Sequence, residues 1–356
     1  MRRILFINPF GLGDAIFTLR VLETVKVADP LCYIGFLGNE RTEELLKLAS
    51  AVDRVFVFNR DLYRRLWRED FWECLARLEG LTKQIRKEKF DSAIDVSLGR
   101  EYALGAFFSG IHRRVGFDYK GRGTFLNRKV FLSGYQDKRV TDKQMELLAK
   151  AKLSHGSPQG RVSFKISEKI SQEAEAFLRA CRIEPGEAVF AVAPGGGKSW
   201  GENARYKQWD LEKFASVANE RAAKRNEKII LLGDESEESL LRQLGQRLRA
   251  PHAIACGFSI EKVAALLKRS SFLLCNDGGL MHLADSLGVR VVAIFGPVDE
   301  KVYGPYGDVV GTEVITEPVP CRPCYRNFHF PACQHQRQCL DKVTAEKVIT
   351  HLEKLS

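Results

Sequence analysis

Along the chain, short apolar runs alternate with segments whose apolar positions recur at helical spacing. Residues 3–10, RILFINPF, open with such a run; 15–28 follow with Ile16, Leu19, Leu22 and Val25 near a helical period. The alternation returns at 31–36 with 40–49, and at 54–58 with a helical segment near 70–88 that precedes 90–96. In the second half a helix at 168–181 leads into 188–193, then 228–232 with a helix to about 249, a unit at 252–268, and the runs 272–275 and 289–295. Bounded apolar runs rich in β-branched residues, separated by helices, predict parallel strands buried on both faces. The polar stretch 154–160, SHGSPQG, predicts the boundary between two domains, 1–160 and 161–340. A last helix is expected at 343–355, within a terminal segment 341–356.

In sheets of this kind ligands sit beyond the carboxyl ends of the strands. The polar residues after the run 272–275 are Asn276-Asp277-Gly278-Gly279, and a helix follows from Leu280. Two glycines let the backbone approach a ligand, and the helix start offers unpaired N–H groups to an anion. His282 adds a donor and Asp277 an acceptor for hydroxyls; the plainer alternative is a βα turn with Asp277 as helix cap and His282 at the surface. At the first turn, Gly11-Leu12-Gly13-Asp14 is no dinucleotide fingerprint, because position 16 is Ile16. Asp14 at a helix opening is either a carboxylate able to take a hydroxyl proton or a simple cap. Gly197-Lys198-Ser199 is no phosphate loop, since the leading position holds Val192. The acidic run Asp234, Glu235, Glu237 after the strand 228–232 completes the candidates in this half.

Composition narrows the partners. With 45% hydrophobic and 28% charged residues the chain is an ordinary globular protein. No apolar run approaches the roughly 18 residues of a spanning helix, and the N-terminal run is too short for a signal-peptide core, so a cytoplasmic location is expected. A net charge of +10 favours anionic partners. No nucleic-acid module is present in the sequence, which ranks a membrane surface and an anionic substrate above nucleic acid. The segment 60–68, with Arg60, Arg64, Arg65 and Arg68 among Tyr63, Leu66 and Trp67, is either a contact loop or a solvated basic helix. Of nine cysteines, Cys32, Cys74, Cys181, Cys256 and Cys275 are scattered, whereas Cys321, Cys324, Cys333 and Cys339 cluster with His329 and His335. In a reducing compartment such a cluster is a structural zinc or iron site or a set of free thiols.

The run 276–307, NDGGLMHLADSLGVRVVAIFGPVDEKVYGPYG, resembles the donor-site signature of glycosyltransferase family 9, the ADP-heptose:lipopolysaccharide heptosyltransferase family, with Gly278 where Thr or Ser is usual. Residues 11–26 resemble the family's opening, G-D-x-x-x-x-x-P-x-L, with Arg20 in place of Pro. Residues 91–100 and 110–117 resemble its acceptor-side stretches, and 204–214 its A-K-R-W-P-x-E-x-F motif. The resemblance implies an α/β GT-B fold: two facing Rossmann-like domains with the active site in the cleft between them, and the terminal helix packed back on the N-terminal domain. It implies inverting, metal-independent transfer of a heptose from ADP-heptose to an anionic, lipid-linked lipopolysaccharide inner-core acceptor, with transient contact to the inner face of the cytoplasmic membrane. Asp14 would be the catalytic base and Lys207 the lysine on the donor phosphates. Gly13, Glu237, Asp277, Gly278, Gly279 and His282 would bind the donor, with Glu237 on ribose; Arg100, Arg113 and Lys120, together with Arg114 and Arg122, would bind the acceptor. No cofactor would be needed for catalysis, and members often carry a similar C-x-P-C tail. The alternatives are a related transferase with another nucleotide sugar or acceptor, and a catalytically silent sugar-nucleotide-binding protein.

Overall fold

A computed structural model describes every residue except 136, 137, 154, 155, 160, 308, 355 and 356. The chain forms two compact units, Met1–Phe164 and Lys165–Ser356. The division falls four residues beyond the expected one, and residues 154, 155 and 160 of the expected boundary lie outside the described residues.

The first unit runs β1 (Arg3–Ile7), α1 (Leu12–Ala28), β2 (Tyr33–Gly38), α2 (Glu43–Leu48), β3 (Arg54–Val57), α3 (Arg60–Glu69), α4 (Phe71–Lys87), β4 (Ser92–Asp95), α5 (Arg100–Phe108), β5 (Arg113–Tyr119), β6 (Arg128–Leu132) and α6 (Val140–Lys150). Its six strands are ordered β3-β2-β1-β4-β5-β6, and every pairing is parallel. The apolar runs of β1, β2 and β4 are buried almost throughout because helices cover both faces. α1 continues unbroken through Arg20, whose side chain is fully buried.

The second unit runs α7 (Glu168–Ala180), β7 (Val189–Ala193), α8 (Leu211–Arg225), β8 (Lys228–Gly233), α9 (Glu238–Gly245), β9 (His252–Cys256), α10 (Ile260–Arg269), β10 (Phe272–Asn276), α11 (Gly279–Ser286), β11 (Arg290–Ile294), α12 (Glu300–Tyr303), β12 (Glu313–Ile315), α13 (Gln338–Asp341) and α14 (Ala345–Glu353). A 3-10 segment, Lys198–Tyr206, bends at Gly201 and joins β7 to α8. The sheet order is β12-β11-β10-β7-β8-β9, again all parallel. Both sheets thus have the Rossmann order, in which the chain reverses direction beside the first strand. That switch point lies between β1 and β4 in one unit and between β7 and β10 in the other.

The terminal helix α14 belongs to the second unit, where its apolar face is buried. Ala345, Val348 and Leu352 join Phe214, Val217, Ile229 and Phe272 in the core of the second unit, and α14 lies along α8. Its apolar stripe finds its buried partner within its own unit. Among the described residues, no helix is long and apolar enough to cross a membrane.

Candidate active site

At the switch point of the second unit, three turns are tied together by one side chain. Asn276 ends β10 and is buried; its amide donates to the carbonyls of Pro194 (2.7 Å) and Gly195 (3.2 Å), while its oxygen accepts from the Trp209 N–H (3.0 Å). A buried amide with its donors and acceptor met fixes the loops it joins. It holds the glycine turn after β7 against the segment that carries Lys207. Lys207, 6% exposed, directs its ammonium to Asp277 at 2.8 Å, and the same nitrogen lies 4.9 Å from the ring centre of Trp200. Asp277 is therefore not the cap of α11. Gly278 occupies that position, with no side-chain cap, and the first N–H groups of α11 point out of the helix start. His282 stands in the first turn of α11 and is 4% exposed rather than a surface group.

Glu237 closes the other side of this turn. Its carboxylate accepts from the Asp234 N–H (3.2 Å) in a capping box and from the Gly197 N–H (3.5 Å). A Cβ on Gly195 would overlap that carboxylate, and one on Gly196 would overlap the carbonyl of Ala204. Glycine is required at both positions by close approach, not by a positive φ. The second unit thus gathers Lys207, Asp277, His282, Glu237, Gly278 and Gly279 at the carboxyl ends of β7, β8 and β10. A cation, a helix N-terminus and an acidic group beside glycine backbone match the needs of a nucleoside diphosphate: phosphate charge at one end, ribose hydroxyls at the other.

In the first unit, Asp14 lies in the first turn of α1, whose N-cap is Gly11, so it is not the cap. Asn8, fully buried, donates to the Asp14 carbonyl (2.9 Å) and to Thr18 Oγ1 (2.8 Å), and accepts from the Phe10 N–H (3.1 Å). Asn39 donates to the carbonyls of Pro9 (2.7 Å) and Phe10 (2.6 Å). The two asparagines fix the loop that presents Gly13 and Asp14, and the half-buried carboxylate stands where the helix dipole favours its charged form.

Asp95, to which no role attaches in the sequence, ends β4 beside Ile7 of β1 and is 4% exposed. Burial raises its carboxyl to about 7, although Ser97 donates to it through its backbone N–H at 2.8 Å. The signal available was its position at the end of an apolar run next to a switch point.

The acceptor-side arginines separate. Arg100 opens α5 after β4, and Lys120 follows β5, both exposed at the carboxyl edge of the sheet; Lys120 and Arg122 lie near the Tyr119 ring. Arg113 and Arg114 instead begin β5, pairing in register with Ser92 and Ala93 at the start of β4. The seven residues of β5 put them roughly 20 Å from the edge that carries Asp14. Arg114 is spent on its own unit, donating to the carbonyls of Phe125 (2.7 Å) and Ile111 (2.5 Å). Arg113 and Arg114 thus stand at the opposite end of β5 from Lys120.

In the tail, Cys321, Cys324, Cys333 and Cys339 line one small cavity together with Tyr206, Pro297, Phe330, His335 and Arg337. Burial pushes the Cys324 thiol up to about 11, with the neighbouring Cys321, Cys339 and Cys333 adding to the shift. Among the described residues, no three His, Cys, Asp or Glu side chains converge at metal-holding spacing; the Cys324 thiol donates to the Cys321 carbonyl at 2.9 Å.

Two Rossmann-order units in one chain, each with its polar turns at the switch point, are the GT-B architecture. The family model for glycosyltransferase family 9 (heptosyltransferase) matches residues 79–329, and the chain belongs to that family. Lipopolysaccharide heptosyltransferase 1 of Escherichia coli K12 is 24% identical over 315 residues, 86% of this chain and 91% of that protein. The enzyme of the same name from Pseudomonas aeruginosa PAO1 is 23% identical over 369 residues, covering 99% and 97%. The crystal structure of a family 9 glycosyl transferase from Veillonella parvula superposes with a TM-score of 0.81 at 19% identity, over 99% of this chain and 97% of that one.

Proposed function

We propose that the protein transfers a heptose from ADP-heptose to a lipopolysaccharide inner-core acceptor with inversion at the anomeric carbon. The observation that carries this reading is the buried Lys207–Asp277 pair beside the start of α11. Asp14 takes the proton of the acceptor hydroxyl as its oxygen attacks the anomeric carbon; the bond from that carbon to the diphosphate breaks, and ADP leaves. Lys207, His282 and the N–H groups at Gly278 and Gly279 stabilise the charge that grows on the departing diphosphate. Glu237 holds ribose hydroxyls, Asp277 orients Lys207, and Gly13 keeps the turn at Asp14 open to the donor sugar. Arg100 and Lys120 hold acidic groups of the acceptor, as guanidinium and ammonium groups do. The chemistry uses no metal; the four tail thiols hold a structural zinc or iron ion away from the reacting atoms.

The protein works in the cytoplasm, in passing contact with the inner face of the membrane. Support comes from the +10 charge and from the basic segment 60–68, which forms α3 with no buried residue. Trp67 within it and Trp72 just beyond it are 57% and 77% exposed, and aromatic rings of this kind favour the lipid interface.

The test is calorimetry with ADP-heptose, UDP-sugars and GDP-sugars, followed by transfer to inner-core saccharides. Tight binding and turnover with ADP-heptose alone are expected. Preference for another nucleotide sugar would favour a sibling transferase, to which Gly278 in place of a hydroxyl residue points; binding without turnover would favour a silent protein.

A further inference from the structure

The cysteine cavity and the lysine of the donor site share a wall. Tyr206, the residue before Lys207, lines the cavity; so does Arg337, which donates to the carbonyls of Arg205 (3.0 Å) and Gln208 (3.1 Å) on either side of Lys207. Phe330, also in the wall, packs on Tyr206 (5.2 Å between ring centres) and on Trp200 (4.9 Å), the ring that lies over the Lys207 ammonium. Tyr325 packs on Trp200 from the tail at 5.2 Å. On its other side the tail is tied to the end of β11: Arg322 donates to the carbonyls of Gly296 (2.6 Å) and Val298 (3.1 Å), and the N–H groups of Cys324 and Tyr325 donate to the Pro297 carbonyl.

Between β12 and α13 the chain has no helix or strand of its own. An irregular stretch of this length inside a compact unit is uncommon and usually carries a function. Three thiols from separate points of the stretch and Cys339 from α13 line one cavity, and four thiolates are the donor set of a tetrahedral site.

We propose that one thiophilic divalent ion, bound by Cys321, Cys324, Cys333 and Cys339, staples the tail and thereby holds the Lys207 segment in its diphosphate-binding position. The proposal rests on the donor reading given above and adds a dependence of that site on the tail. Binding displaces the four thiol protons and turns the side chains from their present rotamers onto the ion. Phe330 and Arg337 are then fixed from behind, and Trp200 and the carbonyls of Arg205 and Gln208 with them. They act through Lys207 as positioning residues and touch no substrate.

The experiment loads the full chain with cobalt(II) or zinc(II), strips it with a chelator, and measures ADP binding by calorimetry on both forms. One equivalent of cobalt with the intense absorption of a tetrahedral thiolate complex is expected. Stripping weakens ADP about tenfold, the loss of one charge-assisted hydrogen bond. In a Lys207→Met chain, ADP binds weakly and equally with or without the ion. If no ion is taken up, the site itself is refuted. If the ion binds and ADP affinity does not follow it, the coupling is refuted while the donor reading stands. Absence of ADP binding in the loaded wild type would refute the donor reading instead. Should stripping unfold the second unit, Phe330→Ala in the loaded protein takes over: weaker ADP with unchanged metal content and melting temperature supports the proposal, and unchanged ADP affinity overturns it.

Discussion

The turns after β1 and after β10 are built alike and used differently. Each begins at a buried asparagine, but the Asn8 amide fixes the loop that follows it, whereas the Asn276 amide fixes the turn after β7 and the segment before α8; each turn then reaches an aspartate at or just before a helix start, Asp14 or Asp277. Asp14 remains half-buried at the mouth of its turn, whereas Asp277 is 5% exposed and committed to Lys207. The depth of the carboxylate decides its chemistry. One near solvent is open to a hydroxyl from outside; one buried in an ion pair with an ammonium is placed to aim it.

The sharpest way to break this contrast is Asp14→Asn. Turnover is expected to fall about 10²–10⁴-fold, with ADP affinity by calorimetry unchanged; near-normal turnover removes the base. Asp277→Ala is the converse substitution. It takes away the counter-charge 2.8 Å from a buried ammonium, and the unfolding free energy in urea is expected to drop by about 3–5 kcal/mol.

Asp95 offers a third handle, through pH. Its carboxyl stands at about 7 in the folded chain against an ordinary 3.8. Between these values the folded chain keeps a proton that the unfolded chain has lost, so this group's contribution to stability falls as pH rises through the window. Urea midpoints of Asp95→Asn followed from pH 5 to 8 are expected to show a flatter profile than the wild type. The smallest effect belongs to Gly278→Thr. The backbone there is extended and a Cβ meets nothing within 4 Å, so the side chain enters without displacing a neighbour. One added neutral hydrogen bond to the diphosphate predicts ADP binding about two- to tenfold tighter; no change would mean that the hydroxyl does not reach it.

Much of this was legible before the structure, for a physical reason. Strands buried on both faces leave unbroken apolar runs, and the turns beyond them need glycine, so β1, β7, β10 and β11 and their loops announce themselves. β5 and β6 did not, because Arg113, Arg114, Arg128 and Lys129 interrupt their apolar pattern and β6 is the edge of its sheet. Missing β5 as a strand hid its direction, which is why Arg113 was placed with Lys120 although the two lie at opposite ends of it. Asp95 ends an apolar run, but how deeply it is buried follows only from the parallel pairing of β4 between β1 and β5. The clustering of the tail cysteines could be read, but not the contact of their cavity with Tyr206, more than a hundred residues away in the chain.

The packing of α14 on α8 has a practical side. A polypeptide beginning at Lys165 carries every strand and helix of the second unit's core, its closing helix included. That half is the natural piece to express alone, and a cooperative melt of the isolated polypeptide would show that its core is self-sufficient.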